Sequence, residues 1–198
     1  MLIIFALDLA TQGYSNHHCR PIQADATNKR SMSTSNFSKL DFRNALGSFA
    51  TGVTVVTALG KNGQKVGMTA NSFNSVSLDP ALVLWSIGRD TNCFDDFIAA
   101  EVFAIHILAE DQQELSNRFA TPGTDRFAGL EVSEGLAGVP LLTHYSACFQ
   151  CAIANQYDGG DHVIMPGKVP DFTDQGQRPL TFHRGNYEAL EPYNNLVP

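Results

Sequence analysis

The hydrophobic pattern is irregular up to residue 36 and sharp from Phe37 onward. Behind Ser38-Lys39-Leu40-Asp41, which reads as a capped start, Phe42, Ala45, Leu46 and Phe49 recur at helical spacing, and Gly52 is expected to end that helix. Val53 to Leu59 is rich in β-branched residues and Lys65 to Phe73 forms a second run. The turn residues Gly60-Lys61-Asn62-Gly63 between them predict a β-hairpin. Leu82 to Ile87 and Val102 to Leu108 read as two further strands, separated by a short helix around Phe94, Phe97 and Ile98. Glu110 to Phe119 predicts another helix. Beyond a Gly-rich stretch from Gly123 to Gly138, strands are expected over Tyr145 to Tyr157 and His162 to Val169, joined at Asp158-Gly159-Gly160-Asp161, with a last one around Phe182 and Tyr187.

Short strands linked by hairpins and interrupted by a few helices predict a mainly β, α+β fold: a closed antiparallel barrel with helices over its ends. Strand-helix alternation is too irregular for a doubly wound parallel sheet. One domain is expected over residues 37–190, preceded by an extension at 1–36 and followed by a tail at 191–198. The extension shows no core-forming period. It reads as a disordered segment or as sequence upstream of a start at Met32.

Composition narrows the function. Of 198 residues, 43% are hydrophobic and 17% charged, enough apolar content for one buried core. A net charge of −7 without a Lys/Arg cluster speaks against nucleic acid as a partner. Met1 to Leu7 is apolar, but it lacks a basic flank, meets Asp8 and is too short for a membrane span. Cys19, Cys93, Cys148 and Cys151 are too irregular for a disulfide framework, so reduced thiols and a cytoplasmic setting are expected.

Common catalytic signatures are missing. Cys148-Phe149-Gln150-Cys151 has C-x-x-C spacing, but on a strand residues three apart face opposite sides, and no second pair completes a zinc site. The adjacent His17-His18 lacks a third ligand, so no metal site is expected. No Gly-rich phosphate loop and no G-x-S-x-G elbow occurs.

Three blocks in order carry a resemblance: Phe42 to Thr57, Gly67 to Pro80, and Gly160-Asp161-His162 with Gly167-Lys168-Val169. Arg126-Phe127-Ala128-Gly129, Gly138-Val139-Pro140 and Gly185-Asn186-Tyr187 extend it. Together they resemble the flavin reductase family over roughly Phe37 to Leu190. Ala81 departs from that family's usual proline, and His144-Tyr145 replaces smaller residues. The resemblance implies an antiparallel split β-barrel of the FMN-binding type. It also implies a homodimer with flavin near the subunit interface, and a role as the reductase half of a two-component, flavin-dependent monooxygenase. FMN or FAD would be the acceptor and NADH or NADPH the donor, with hydride passing between them and no catalytic side chain required.

By the same resemblance Thr69, Ala70, Asn71, Ser72, Phe73 and Ser75 line the flavin, flanked by Ser86, Ile87, Arg89, Thr91, Asn92 and Phe127. Asp161, His162 and Tyr187 fall to the nicotinamide. The hydroxyls of Thr69, Ser72 and Ser75 suit a carbonyl edge because they bond it without adding charge; otherwise they are solvent-facing strand residues. Arg89 to Asn92 suits a phosphate at a helix N-terminus, or else an ordinary N-cap. His162 positions nicotinamide or is a polar turn residue. Three rivals stand beside a reductase: a flavin-binding module without turnover, a reductase of ferric chelates with tightly held flavin, and a structural dimer.

Overall fold

The computed structural model describes residues 37–123 and 125–191. The expectations for the extension at 1–36 and for the tail from 192 on lie outside the described residues. The order is α1 (Lys39–Leu46), β1 (Thr51–Gly52), β2 (Thr54–Leu59), β3 (Lys65–Ala70), β4 (Asn74–Leu78), β5 (Ala81–Gly88), α2 (Phe94–Ala99) and β6 (Val102–Ile107). There follow α3 (Gln113–Ala120), β7 (Val132–Glu134), β8 (Pro140–Leu142), β9 (Ala147–Ile153), β10 (Tyr157–Asp158), β11 (His162–Asp174), β12 (Thr181–His183) and β13 (Asn186–Glu188).

The main sheet runs β3-β2-β6-β9-β11-β5-β4, with β10 folded back on β11, and every pairing is antiparallel. β2 shows why its sequence lacks polar alternation, since both faces are buried. Val56 and Ala58 pack with Trp85, Phe97, Phe103 and Met165, while Val55 on the opposite face packs with Ala104, Phe119 and Val139. Its threonines are satisfied in place: Thr54 donates to Ala70 O at 2.7 Å and Thr57 to Pro140 O at 2.6 Å.

β11 is 13 residues long and changes partner midway. His162 to Lys168 pairs with β5, whereas Gly167 to Asp174 pairs with β9, with a register shift between Lys168 and Asp171. Gly167 stands at the crossover. A Cβ there would come within 2.6 Å of the Phe103 ring and 2.7 Å of Cys151 Cβ, so only glycine lets the three strands converge.

Several expected boundaries move, each because backbone pairing competes. The first helix ends at Leu46 rather than Gly52, because Thr51 and Gly52 pair with Phe182 and Thr181. Its cap is as expected, with Ser38 Oγ accepting from the Asp41 N–H at 3.0 Å. Its apolar face is not buried, with Leu40 63% and Phe49 just beyond it 65% exposed. The run to Phe73 breaks after Ala70, and β4 starts at Asn74. Helix α3 begins at Gln113, since Glu110 N–H is donated to Arg178 O and Leu180 N–H to Leu108 O. The Gly-rich stretch contains β7, which pairs with β8 just beyond it, and the last strand is two, β12 and β13.

Cys148 and Cys151 diverge as strand geometry requires. Cys148 packs with Leu142 and Tyr145, and Cys151 with Phe103 and Met165 on the other face. Both are free, and burial pushes both thiols up to about 12, far from reactive thiolates. Replacing both with Ala is expected to cost roughly 1–3 kcal/mol on denaturant titration, and in the folded parent both thiols are expected to resist a thiol-labelling reagent. Rapid labelling of the folded parent would contradict this.

His106 is fully buried on β6, with its ring beside Tyr145. Its Nδ1–H donates to Val55 O at 3.1 Å, and Nε2 accepts the Leu142 N–H at 3.1 Å, so the ring is neutral with one tautomer fixed. Burial lowers its pKa to about 4. The unfolded chain protonates this histidine near pH 6.5, whereas the folded protein resists until about pH 4. Stability is therefore full above the unfolded value and is lost as pH falls between them, by about 3 kcal/mol in all. Urea titrations at stepped pH are expected to show that loss, with a shallower slope in His106→Asn. Equal slopes would disprove the assignment.

Candidate functional site

The segments singled out from sequence converge along one seam. β3 and β5 share no backbone ladder among the described residues, and Ser72 takes the place of one. Its hydroxyl donates to Ser86 O at 3.0 Å and accepts from Ser86 N–H at 2.9 Å, so one side chain mimics a strand partner. This brings Thr69 to Phe73 beside Ser86. Two residues on, at the end of β5, Gly88 pairs with His162, which puts the Gly-Asp-His turn next to Arg89 to Asn92.

Individual placements divide the expected residues. Asn71 and Asn92 are exposed, Thr91 is half-buried, and Ser75 lies on the exposed strand β4. Ala70 and Phe73 pack at the edge of the barrel core, Phe73 stacking on Phe149 with centroids 5.6 Å apart. Ile87 is fully buried, so its side chain belongs to the core and only its backbone is available along the seam. Thr69 Oγ1 is donated to Ser116 O at 2.6 Å, anchoring β3 to α3.

Tyr187 likewise serves the frame. It packs edge-on against Phe182, and its hydroxyl donates to Asn117 Oδ1 and is hydrogen-bonded with Ser116 Oγ, both at 2.8 Å. Arg89 is committed to the turn: Nε donates to Gly160 O at 3.0 Å and Nη2 to Asp158 Oδ1 at 2.8 Å. Helix α2 is capped by Cys93 without a side-chain bond, so neither Thr91 nor Asn92 is its N-cap.

A cleft of about 360 Å³ opens beside the seam, lined by Lys65, Val66, Gly67, Asn92, Cys93, Gly123, Asp125, Arg126 and Phe127. Asn92 and Phe127 were expected; Lys65 and Arg126 were not. Arg126 Nη1 donates to Gly67 O at 2.5 Å, and the guanidinium also holds Thr121 O, tying the loop to β3. Asp125 Oδ1 is turned to the Phe127 N–H at 3.1 Å, leaving Lys65 and Arg126 as the cations of the cleft. Cys93 forms part of its wall, and burial raises its pKa although Arg126 lies 4.0 Å away. The two cations escaped notice because Lys65 and Arg126 are 61 positions apart by number and only the fold joins them.

Asp158 and Asp161 carry carboxyls held below the usual range. For Asp158 the cause is the hydrogen bond from Arg89 and then the Gly160 N–H; for Asp161 it is His162, whose Nδ1 lies 2.7 Å from Asp161 Oδ1.

Residues 46–191 match the flavin reductase like domain. The chain belongs to that family. The reductase component of a flavin-dependent trigonelline monooxygenase from Acinetobacter baylyi is 48% identical over 147 residues, covering 74% of this chain and 47% of that protein. An FMN reductase (NADH) from Agrobacterium fabrum is 46% identical over 146 residues, covering 74% and 83%. The NADH:FAD oxidoreductase of Streptomyces globisporus, solved with NAD and FAD fragments, superposes with a TM-score of 0.75 at 36% identity over 80% of this chain and 96% of that one. The chain spans about half the length of the first two curated relatives it matches. Family membership confirms the antiparallel split barrel expected from sequence.

Ser72→Ala is expected to leave both polar groups of Ser86 without a partner and to destabilise the fold by about 2 kcal/mol. Ser72→Thr, which keeps the hydroxyl, should restore most of it. A Ser72→Ala chain with an unchanged urea midpoint would mean that the seam is closed by other contacts.

Proposed function

We propose that this protein passes a hydride from NADH or NADPH to FMN or FAD and releases the reduced flavin to a separate flavin-dependent monooxygenase. The observation that carries the reading is the seam itself, where Thr69 to Phe73, the end of β5 and the Gly-Asp-His turn meet through the Ser72–Ser86 and Gly88–His162 pairs. The relatives' activities support it: an NADH-dependent FMN reductase, an NADH:FAD oxidoreductase and a monooxygenase reductase component.

The donor set fits a flavin nucleotide. Lys65 and Arg126 set positive charge in the adjoining cleft, suited to a phosphate, and Asn92 adds an uncharged amide. Backbone groups of the Asn71 to Phe73 turn suit the carbonyl edge of the ring. Gly88 keeps a recess open: a Cβ there would lie 3.0 Å from Asp90 Oδ1, 3.3 Å from Thr91 Oγ1 and 3.6 Å from His162 Nε2. When bound, nicotinamide and flavin supply the hydride donor and acceptor themselves. The chain's part is to hold the two rings in contact and to keep competing charge away from them.

The same reading includes a homodimer. Leu40, Leu46 and Phe49 near the N-terminal helix, Leu78 on β4 and Phe172 on β11 are each 60% exposed or more, apolar side chains that a second copy could cover. A cytoplasmic setting is supported by the free thiols of Cys93, Cys148 and Cys151. Among the described residues no helix is long and apolar enough to cross a membrane.

The test is oxidation of NADH and NADPH by the full chain with FMN, FAD and riboflavin each titrated. Turnover that saturates with added free flavin is expected; tight flavin binding without turnover would refute the reading. His162→Ala is expected to raise the KM for the nicotinamide about tenfold, from the loss of one positioning hydrogen bond. Flavin affinity, read from quenching of the single tryptophan, Trp85, should stay within about twofold of the parent. Weaker flavin binding with an unchanged KM would move His162 to the flavin side.

A further inference from the structure

We propose that Arg89 and Asp158 form a clamp that sets the position of His162, which makes Arg89 a positioning residue for the nicotinamide and not a phosphate ligand. This rests on the assignment of His162 to the nicotinamide in the proposed function.

The turn needs such a device. Gly159 and Gly160 are adjacent, Gly160 has φ of +83°, and only two residues of β10 pair with β11 across the hairpin. A double-glycine turn has more backbone freedom to lose than any other, so by itself it would hold the following side chain loosely.

The clamp fixes the turn at three backbone groups. Asp158 Oδ1 accepts the Gly160 N–H at 3.2 Å and Arg89 Nη2 at 2.8 Å. Arg89 Nε donates to Gly160 O at 3.0 Å, and the Arg89 N–H donates to Asp161 O at 2.9 Å. Both polar groups of Gly160 and the carbonyl of the next residue are therefore tied to Arg89 and Asp158. One residue on, Asp161 Oδ1 engages His162 Nδ1 at 2.7 Å, which leaves Nε2 on the side of Gly88. Gly88 immediately precedes Arg89, so the recess under Nε2 and the clamp occupy consecutive residues of one strand end.

Both partners are substantially exposed, Arg89 by 46% and Asp158 by 81% of the side chain. An ion pair so placed adds little to global stability, and its effect falls on the order of the turn. Lysine cannot replace it, because one ammonium on a flexible stem does not present two donors in the fixed fork that reaches Asp158 and Gly160 together.

The experiment is steady-state kinetics of the full chain with NADH varied at saturating FMN, with flavin affinity read separately from Trp85 quenching. Arg89→Ala and Asp158→Ala are each expected to raise the KM for NADH about fivefold, with kcat and flavin affinity within about twofold and the melting temperature within about 3 °C. Arg89→Lys should resemble Arg89→Ala, and Asp158→Asn, which keeps an acceptor oxygen, should recover most of the loss. The Arg89→Ala/Asp158→Ala double variant should be no worse than either single, as for a unit. Adding Arg89→Ala to His162→Ala should produce no further rise in KM. If His162→Ala raises the KM but Arg89→Ala does not, the clamp is overturned while the nicotinamide assignment survives. If His162→Ala itself leaves the KM unchanged, that assignment has failed instead. Weakened flavin binding in Arg89→Ala would overturn the clamp in favour of a phosphate ligand.

Discussion

The change of partner along β11 is the constraint from which the rest of the molecule follows. Along this 13-residue strand the first half belongs to β5 and the second to β9. The shift after Lys168 bends the strand, and Gly167 permits the bend by leaving room for the Phe103 ring and Cys151. One half of β11 then delivers His162 beside Gly88, and the other extends the sheet to Phe172 and Asp174.

Curving the sheet this way brings β3 towards β5 without a ladder between them, and side chains complete what backbone does not. Ser72 supplies a hydrogen-bonded pair to Ser86, Thr69 ties β3 to α3 through Ser116 O, and Arg126 ties the 121–127 loop to Gly67 O. Two hydroxyls that resemble ligand donors in the sequence are thus already engaged in shaping the seam. On the proposed function, ligand contacts would fall to backbone groups, to exposed amides and to the cations flanking the cleft. That division would suit the proposed hydride transfer, in which the protein's part is to supply position.

Two apolar clusters on opposite faces of β2, β6 and β9 give the frame its rigidity. Trp85, Phe97 and Phe103 fill one, and Phe119, Val139 and Tyr145 the other. His106 lies on the second face and satisfies Val55 O and Leu142 N–H with a neutral ring, so a buried polar group is retained without a buried charge. Cys148 and Cys151 fall one to each cluster, which is why their close spacing in sequence creates no dithiol.

Strand identity, the cap at Ser38, the hairpin at Gly60 to Gly63, the divergence of the two cysteines and the ordered blocks of the family were all readable in the sequence, because each depends on local periodicity or short spacing. The end of α1 at Leu46, the start of α3 at Gln113 and the hidden strand β4 were not, since pairing with distant strands overrides local preference at element ends. The sequence also brought Thr69, Arg89, Tyr187 and His162 forward as candidates by residue type and resemblance. Which of them holds the frame and which faces the recess was decided only in three dimensions. A hydroxyl or guanidinium has the same chemistry in either role, and its partner, Ser116 for Thr69 and Tyr187 or Asp158 for Arg89, lies 47 to 71 residues away along the chain.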